Sequence, residues 1–515
     1  MRHLSRTNRL LEGLSFGYLQ QILVMAAGLW LTPFFLGRLG QHDLGMWLIL
    51  TQITLYLGLL DLGVVALLPR ETAFAVGRGG IRSGELPRLI GQTARMVMLQ
   101  WPVVAICAGV VWFLGRAMWR SAEFPLGMIL LAFAAMFPFR IFAAVLQGLQ
   151  DLAFLARSQI AVWVVSTAAT VILLLNGYGL MALAISWVIN QLANTALCFY
   201  RLKRQFPSVL PGQLSRLDRP AALAYFKKSA WISTSQIGHI LRNGTDMLLI
   251  GRFLGPTATV PYSCTGKLVS VLANQPQMVM QAAFPGLSQL KAAESRARIR
   301  QATVALSQAM LAASGAVACV VLAVNRSFVN FWIGPAQYGG GLLSLLIVVT
   351  MLARHWNLTF YYSLFCFGYE RRLALIGVVD GCVSIAASMI LLPLVGPIGA
   401  PIGILIGTCL VSIPASVIPL AREMEISPAG LLGCSSSWLL RFVLASAIGA
   451  SMAAVWNPQG FVSMAALAIV TGILYLGLVM PVLVQEPLGS YIRPKLRFLP
   501  AHFHRIFPSL VDQKS

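Results

Sequence analysis

Seven charged side chains occur inside long apolar stretches of the sequence, and they define the chemistry that the chain could perform. The acids are Asp61, Asp246 and Asp380, and the bases are Arg140, Arg242, Lys267 and Arg354. A charge at the centre of a bilayer costs about 2.5–3.5 kcal/mol on insertion scales, so each group needs a partner or a polar cavity. Four bases against three acids leave positive charge uncompensated. An anion, above all a phosphate that accepts two parallel guanidinium hydrogen bonds, would neutralise it.

Helical spacing places polar side chains on the same face as each base. In 229–251 the predicted face carries Ser235, His239, Arg242 and Asp246. In 259–286 it carries Ser263, Lys267, Ser270, Asn274, Gln277 and Gln281, and in 341–367 it carries Thr350, Arg354, Asn357 and Tyr361. Arg140 is followed two turns later by Gln147. These faces predict a cationic cavity whose hydroxyl and amide groups could bind sugar hydroxyls.

The same residues permit two other interpretations. Arg242 and Asp246 are spaced for an ion pair across one helical turn, so the charges could be structural and the amides could join neighbouring helices. Asp61, Asp246 and Asp380 could instead carry a coupling ion, H+ or Na+. The residue pattern leaves these interpretations open.

The composition indicates the elements that must position these residues. Hydrophobic residues make up 58% of the 515 and charged residues 10%, against roughly 25% charged in a soluble domain. Apolar stretches of about 20 residues, long enough to cross about 30 Å of hydrocarbon, recur along the chain. The sequence therefore predicts an all-α polytopic membrane protein with about fourteen transmembrane helices, near 14–36, 44–69, 91–115, 125–149, 158–176, 179–200, 229–251, 259–286, 302–324, 341–367, 373–392, 398–421, 438–456 and 461–484.

The distribution of basic charge predicts the orientation. The net charge is +22, and 29 of the 38 Lys and Arg residues fall on the N-terminal side of the predicted spans. The opposite side carries Arg38, Arg116, Arg120, Arg252 and Arg326. This bias follows the positive-inside rule, so both termini are predicted to be cytoplasmic in a bacterial inner membrane. It explains the charge through topology and contact with anionic lipids, with no nucleic-acid partner.

No catalytic or metal site is indicated. The eight cysteines lie almost entirely in apolar stretches without ligand-like spacing, so neither a disulfide framework, a metal nor another cofactor is predicted. The first 13 residues lack a small-residue cleavage site and lead into an uncleaved first helix. Every predicted external loop is short, which disfavours an integral-membrane glycan polymerase or ligase, because such enzymes need a sizeable external loop.

Two halves are predicted from a weak internal repeat. FFLGRLGQHDLGMW (34–47) and LIGRFLGPTATVPY (249–262) each place Gly-Arg and a second glycine after the first helix of a half. The predicted division is an N-lobe of six helices at 1–200, a cytoplasmic linker at 201–228, a C-lobe of six helices at 229–421, two extra helices at 422–484 and a basic cytoplasmic tail at 485–515.

The segment FFLGRLGQHDLGMWLILTQITLYLGLLDLGVVALLPRETA (34–73) resembles the polysaccharide-exporter and O-antigen flippase branch of the MOP transporter superfamily. The resemblance includes Asp61-Leu62-Gly63 and the following Arg70. The segment TDMLLIGRFLGPTATVPYSCTGKL (245–268), with Asp246, Tyr262 and Lys267, is similar to the counterpart in the second half. Thr259-Val260-Pro261 departs from the glycine that is commoner before the tyrosine.

The resemblance implies a V-shaped pair of six-helix lobes that alternates between inward-open and outward-open forms. The implied activity is a flippase rather than an enzyme, with an undecaprenyl-pyrophosphate-linked oligosaccharide as its cargo. Implied partners are a glycan polymerase or a chain-length regulator of surface polysaccharide, such as lipopolysaccharide O-antigen. The alternatives within this fold are a peptidoglycan-precursor (lipid II) flippase, which also has a basic cavity, and a multidrug extruder, whose cationic cargo the internal bases would repel.

Overall fold

The computed structural model describes residues 6–81, 84–118, 120–212, 218–278, 296–433 and 435–491, together with residues 280, 283 and 287, and it describes side chains from Gln20 onward. The regular structure of these residues is helical. The helices of the first half are α1 (Arg6–Gly58), α2 (Val64–Gly79), α3 (Glu85–Met118), α4 (Glu123–Met136), α5 (Ile141–Gly148), α6 (Leu152–Leu175), α7 (Leu180–Gln205), α8 (Arg219–Asn243) and α9 (Asp246–Phe253).

The remaining helices vary in length from 6 to 37 residues. They are α10 (Pro256–Thr265), α11 (Lys267–Leu272), α12 (Arg296–Trp332), α13 (Gly341–Cys366), α14 (Glu370–Val395), α15 (Gly399–Gly407), α16 (Ile413–Glu423), α17 (Pro428–Gly433), α18 (Ser436–Trp456) and α19 (Phe461–Leu483).

Ten helical segments among the described residues are long and apolar enough to cross a membrane. The two longest, Gln20–Asp61 and Glu370–Glu423, are both interrupted. Gly40 has non-helical torsion angles (φ 76°, ψ 172°), and a 3₁₀ turn at Gly396–Ile398 separates α14 from α15. The polytopic all-α membrane class is confirmed, and the total of fourteen spans stays a prediction.

Several predicted spans are broken into two helices. The predicted span 44–69 is interrupted at Leu59–Gly63, where a 3₁₀ turn is followed by left-handed Leu62 (φ 48°) and Gly63 (φ 72°). The span 125–149 contains a 3₁₀ segment at Phe137–Arg140, where Pro138 lacks the N–H that a continuous α-helix needs. A π-helical turn at Thr408–Ser412 separates α15 from α16.

The helical face predicted for 229–251 requires a correction. Helix α8 ends at Asn243, its capping residue is Gly244, and Asp246 begins the separate helix α9. Asp246 therefore does not continue the face of His239 and Arg242, because glycine readily ends a helix. At Gly266, between α10 and α11, the i to i−4 hydrogen bonds continue, because Gly266 N–H donates to the Tyr262 carbonyl (3.0 Å) and Ser270 N–H to the Gly266 carbonyl (2.9 Å).

The chain forms two compact units, Met1–Thr257 and Ala258–Ser515. In the first unit, one apolar core joins α2, α3, α5 and α7, and a second joins α1, α3, α4 and α7. Helices α7 and α8 both extend into the predicted linker, which is partly helical. The predicted division into lobes, linker and extra helices rests on an internal sequence repeat. It stays a prediction, because a division by compact packing does not test a repeat.

In the second unit, α12 is the helix on which the others assemble. Helices α13, α18 and α19 pack against it around Trp438, Phe442 and Tyr475. The Tyr475 hydroxyl accepts a hydrogen bond from Trp438 Nε1 (2.8 Å) and donates one to the Ala312 carbonyl (2.9 Å). The two extra helices are therefore tied to the core of this unit by a buried hydrogen-bonded pair as well as by apolar contact.

Candidate functional site: a polar cavity in the N-terminal unit

The break between α1 and α2 is held by the carboxylate of Asp61. The Gly63 backbone N–H donates to Asp61 Oδ1 (2.9 Å), and Gln100 Nε2 donates to the Asp61 carbonyl (3.2 Å). A Cβ on Gly63 would lie 2.6 Å from the Ser229 carbonyl and 2.8 Å from Ser233 Oγ. Only glycine fits here, because the residue has a left-handed backbone and α8 passes directly beside it.

Arg140 lies at the end of the 3₁₀ segment and faces the same break. Its Nη2 is 3.8 Å from Asp61 Oδ2, and its Nη1 donates a long hydrogen bond (3.4 Å) to the Gly58 carbonyl. The Arg140 guanidinium carbon also lies 6.0 Å and 5.7 Å from the ring centroids of Phe133 and Phe137. Charge-assisted N–H···O bonds are normally about 2.7–2.9 Å long, so this ion pair is loose.

A cavity of about 1230 Å³ opens beside this pair, within the first unit. The Arg140 side chain is 37% exposed whereas that of Asp61 is 4% exposed, so the base rather than the acid is available to a ligand. The other polar residues that line the cavity are Gln20, Thr54, Arg70, Gln147, Gln159, Gln191, Asn194, Thr195, Gln236 and His239. The volume exceeds the roughly 300–1,000 Å³ of typical small-molecule pockets.

Four residues that the sequence analysis singled out in distant segments meet at this cavity: Asp61, Arg140, Gln147 and His239. Arg70 joins them and places its guanidinium 5.3 Å from the ring centroid of Phe74. The wall therefore combines two guanidinium groups with one buried carboxylate. Such a wall can bind an anion at Arg140 and Arg70 while Asp61 orients the first of them.

The other predicted bases lie elsewhere. Arg242 is on α8, where its Nε donates to the Gly238 carbonyl (3.1 Å), and it is not among the described residues that line the cavity. Lys267 and Arg354 belong to the second unit, on α11 and α13, and both are half-buried. Their assignment to a common cationic site stays a prediction.

A buried polar network in the second unit includes one of the predicted amides. Gln277 Nε2 lies 3.1 Å from His355 Nε2, and Ser314 Oγ lies 2.7 Å from His355 Nδ1. His355 is only 2% exposed and bridges α12, α13 and Gln277. His355 was not predicted as a site residue, although a histidine next to Arg354 inside an apolar span requires polar partners.

The remaining polar residues predicted in the second unit are dispersed. Asn274 Nδ2 donates a long bond to the Ser270 carbonyl (3.5 Å), and Tyr361 packs edge-on against Tyr362. Asn357 is buried, and its Oδ1 has no hydrogen-bond partner among the described residues. Gln281 lies outside the described residues.

Asp380 is 1% exposed and is enclosed by hydroxyl groups. Ser384 Oγ donates to its Oδ1 (3.1 Å) and Ser412 Oγ to its Oδ2 (2.5 Å). A Cβ on Gly407 would lie 2.5 Å from Oδ1, so α15 approaches the carboxylate closely. These bonds join α14 to the π-helical turn. Whether Asp380 is structural or carries a coupling ion stays a prediction.

Helix α7 forms a wall of the cavity that was not predicted from the sequence. Trp187, Gln191, Asn194 and Cys198 follow i, i+4, i+7 and i+11 on this helix, and all four line the cavity. The signal was present in the sequence as two amides at helical spacing within one apolar span. Among the described residues, no group of three or more His, Cys, Asp or Glu side chains could hold a metal.

The sequence around this cavity is similar to a known protein family. Residues 123–337 match the model of a family described as polysaccharide biosynthesis protein. The matched part includes Arg140, the α7 wall, Arg242 and Lys267, and the match confirms the resemblance found in the sequence. No curated protein matches the sequence.

Several solved structures have folds similar to that of this chain. A structure of the lipid II flippase MurJ in an inward closed conformation is similar with a TM-score of 0.60 at 12% identity, covering 92% of this chain and 99% of that one. A MATE structure in a bent conformation and a MOP superfamily transporter from Pyrococcus furiosus each have a TM-score of 0.45 at 14% identity, covering 83% and 81% of this chain and 95% of theirs. The chain is therefore a multi-pass membrane protein whose fold is similar to that of MurJ.

Proposed function

We propose that the protein is a flippase that moves an undecaprenyl-pyrophosphate-linked oligosaccharide from the cytoplasmic to the periplasmic leaflet by alternating access. The product would supply surface polysaccharide biosynthesis. The protein would perform transport without an enzymatic step and without a cofactor. The family match over residues 123–337 and the fold shared with MurJ support this class of function.

The observation that carries the proposal is the state of Arg140. Its guanidinium is only loosely paired with Asp61 and remains partly exposed to a large cavity. A pyrophosphate can accept two parallel hydrogen bonds from a guanidinium, which a carboxylate 3.8 Å away does not. The cargo headgroup would therefore replace a weak internal partner, and Arg70 would add a second cation at the same wall.

The rest of the proposed machinery follows from the sequence. Arg242, Lys267 and Arg354 are proposed as further positions for the pyrophosphate along the transport path. The proposed arrangement has fourteen spans, with two six-helix lobes in a V and both termini in the cytoplasm of a bacterium. A glycan polymerase or a chain-length regulator would receive the product in the inner membrane.

A second candidate is a lipid II flippase, because the fold similar to this chain is that of MurJ. The 12% identity shows a common fold and does not distinguish the two cargoes. The match to the polysaccharide biosynthesis family favours the surface glycan. A multidrug extruder fits less well, since Arg70 and Arg140 would repel a cationic cargo in this cavity.

Transport by the purified protein in proteoliposomes tests the proposal. The donor leaflet would carry a fluorescent undecaprenyl-pyrophosphate-linked oligosaccharide isolated from the source bacterium, and its arrival in the other leaflet would be measured. We expect Arg140→Gln to lower the rate at least tenfold and Arg140→Lys to restore part of it. Arg116→Gln is the control, because Arg116 stacks on Trp112 and Phe113 away from the cavity.

Three outcomes would contradict the proposal: no transport by the wild-type protein, equal transport by Arg140→Gln and the wild type, or faster transport of lipid II than of the native lipid-linked glycan.

Coupling of transport to an ion gradient is a separate question. If H+ or Na+ drives transport, collapsing its gradient should stop net movement of cargo, whereas undiminished transport would assign Asp61, Asp246 and Asp380 a structural role.

A further inference from the structure

Six amide side chains from five helices converge on the cavity of the first unit. This amide cluster consists of Gln20 on α1, Gln147 on α5, Gln159 on α6, Gln191 and Asn194 on α7, and Gln236 on α8. Within the described residues, none of the six makes a side-chain hydrogen bond to the protein. Asn194 Oδ1 is buried and has no hydrogen-bond partner in the part of the chain that the structure describes.

Two neighbouring amides that do not line the cavity have protein partners. Asn190, on the same helix but outside the cavity wall, donates to Ser166 Oγ (3.1 Å). Gln100, on α3, donates to the Asp61 carbonyl (3.2 Å). An amide in an apolar span normally finds a protein partner of this kind, because leaving it unpaired costs free energy. The amide cluster therefore keeps its hydrogen-bonding capacity for a ligand.

The chemistry of the cluster fits sugar hydroxyl groups. Each amide offers one carbonyl oxygen as an acceptor and two N–H donors, and a hydroxyl group both donates and accepts. Trp187 and Phe139 line the same cavity and provide apolar surfaces against which the C–H faces of a sugar ring can pack. The volume of about 1230 Å³ leaves room for a ligand larger than a typical small molecule.

The charge of the wall limits which sugars can enter beside a pyrophosphate. Arg70 and Arg140 supply two positive charges and Asp61 one negative charge, which leaves a single net positive charge with His239 neutral. A pyrophosphate diester alone exceeds that charge. An acidic sugar in the same cavity would find no further cation among the described lining residues, so its desolvation would be uncompensated.

From these observations we infer that the amide cluster is a selection site for neutral, hydroxyl-rich sugars next to the pyrophosphate. The inference rests on the proposed function for the presence of the pyrophosphate. It goes further by assigning sugar selection to six residues of the first unit. The cluster would distinguish glycans because an amide that loses its hydroxyl partner remains unpaired inside the cavity.

The test compares binding of four lipids to the full-length protein in nanodiscs. The probes are farnesyl methyl pyrophosphate, a diester of the same charge as the neutral conjugates and hereafter called farnesyl pyrophosphate, and farnesyl pyrophosphate conjugates of glucose, N-acetylglucosamine and glucuronic acid. The readout is the dissociation constant of farnesyl pyrophosphate divided by that of each conjugate, since a ratio cancels any inactive fraction. For the wild type we expect a ratio of about ten or more for a neutral sugar, from several hydrogen bonds, and of one or less for glucuronic acid.

Two variants and one matched control locate the effect. We expect Gln191→Leu and Asn194→Leu each to lower the ratio for the neutral sugars about three- to tenfold, the effect of losing one or two hydrogen bonds. Asn190→Leu, which removes an amide from the same helix outside the cavity, should leave the ratio unchanged. A second measurement needs no amide variant. The fluorescence of Trp187 is obtained by subtracting the fluorescence of Trp187→Phe from that of the wild type. The neutral conjugates should change this signal more than farnesyl pyrophosphate does.

The outcomes separate this inference from the proposed function. Ratios near one for both neutral sugars in the wild type, or equal ratios in the wild type and both amide variants, would overturn the sugar site. If farnesyl pyrophosphate binds and Arg140→Gln weakens it while the ratios remain near one, only the sugar site fails. If the neutral conjugates bind with an amide-dependent gain but Arg140→Gln has no effect on any probe, the sugar site stands and the pyrophosphate role fails.

Discussion

Asp61 Oδ2 and Arg140 Nη2 lie 3.8 Å apart beside one cavity, and the same carboxylate accepts the Gly63 N–H at the break between α1 and α2. One acid thus has two tasks, since it holds the backbone break and partly neutralises the base that faces the ligand. The loose geometry of the pair allows an anion to compete for Arg140 without disturbing the break.

Asp61→Asn should separate these two tasks. The amide oxygen can still accept the Gly63 N–H, so we expect the fold to persist. Loss of the negative charge should tighten farnesyl pyrophosphate binding about three- to tenfold, because Arg140 no longer has an anionic partner within the protein. Release should slow, so transport should fall. Calorimetry in nanodiscs measures the affinity, with Asp43→Asn as the control. Weaker binding by Asp61→Asn would show that Asp61 does not compete for Arg140.

Gly63→Ala should disrupt the packing of α2 against α8. The left-handed backbone costs a non-glycine residue about 1–2 kcal/mol, and the added Cβ would lie within 2.6 Å of the Ser229 carbonyl. We therefore expect a clear fall in melting temperature in detergent. Gly109→Ala is the matched control, because a Cβ there meets nothing within 4 Å. Equal stability of the two variants would mean that α8 moves aside without cost.

Tyr475→Phe tests how the two C-terminal helices are held. The substitution leaves Trp438 Nε1 without a partner in the apolar core around α12 and removes the second hydrogen bond that the helical Ala312 carbonyl accepts. The expected loss of stability is about 1–3 kcal/mol, the cost of an unpaired buried polar group. It would be measured by thermal unfolding in detergent, with exposed Tyr491→Phe as the control. Transport should remain, since Tyr475 does not line the cavity of the first unit; an unchanged melting temperature would contradict this role.

Tyr369 provides an alkaline pH dependence outside the membrane-spanning segments. Its hydroxyl donates to Glu423 Oε1 (2.6 Å), and this bond raises the pKa of Tyr369 above its usual 10.0. The protonated form is therefore favoured in the fold, so the contact stabilises the protein below pH 10 and is lost as the pH rises through the raised pKa. Tyrosinate absorbance of the wild type minus that of Tyr369→Phe should show one group titrating above pH 10. A midpoint at or below pH 10 would contradict the bond.

Much of the site could be predicted from residue types alone. Asp61, Arg140 and His239 were identified because a charged or polar side chain in an apolar span is costly unless it has a function or a partner. The α7 amides Gln191 and Asn194 also lie in an apolar span at helical spacing. They were not predicted as site residues, because the candidates on the first half were chosen by their charge. An amide carries no net charge, so its importance becomes evident only when its lack of a protein partner is known.

The continuity of helices was the least predictable property. Asp246 was assigned to the face of Arg242, but a new helix begins at Asp246 after Gly244. Hydropathy reports the length of apolar chain and is insensitive to a local break, since a broken helix can be as apolar as a straight one. The break at Gly63 also depends on α8, which packs directly beside it.

By itself, the sequence determined that this protein is a helical membrane protein, which family its motifs resemble and which charges require an explanation. Those conclusions follow from the transfer free energies of single residues, which composition and spacing report directly. Only the tertiary structure decided that Arg140 meets Asp61 rather than remaining alone, and that six amides from five helices share one cavity. Contacts between helices distant in sequence depend on how side chains pack in three dimensions, and no local pattern encodes that information.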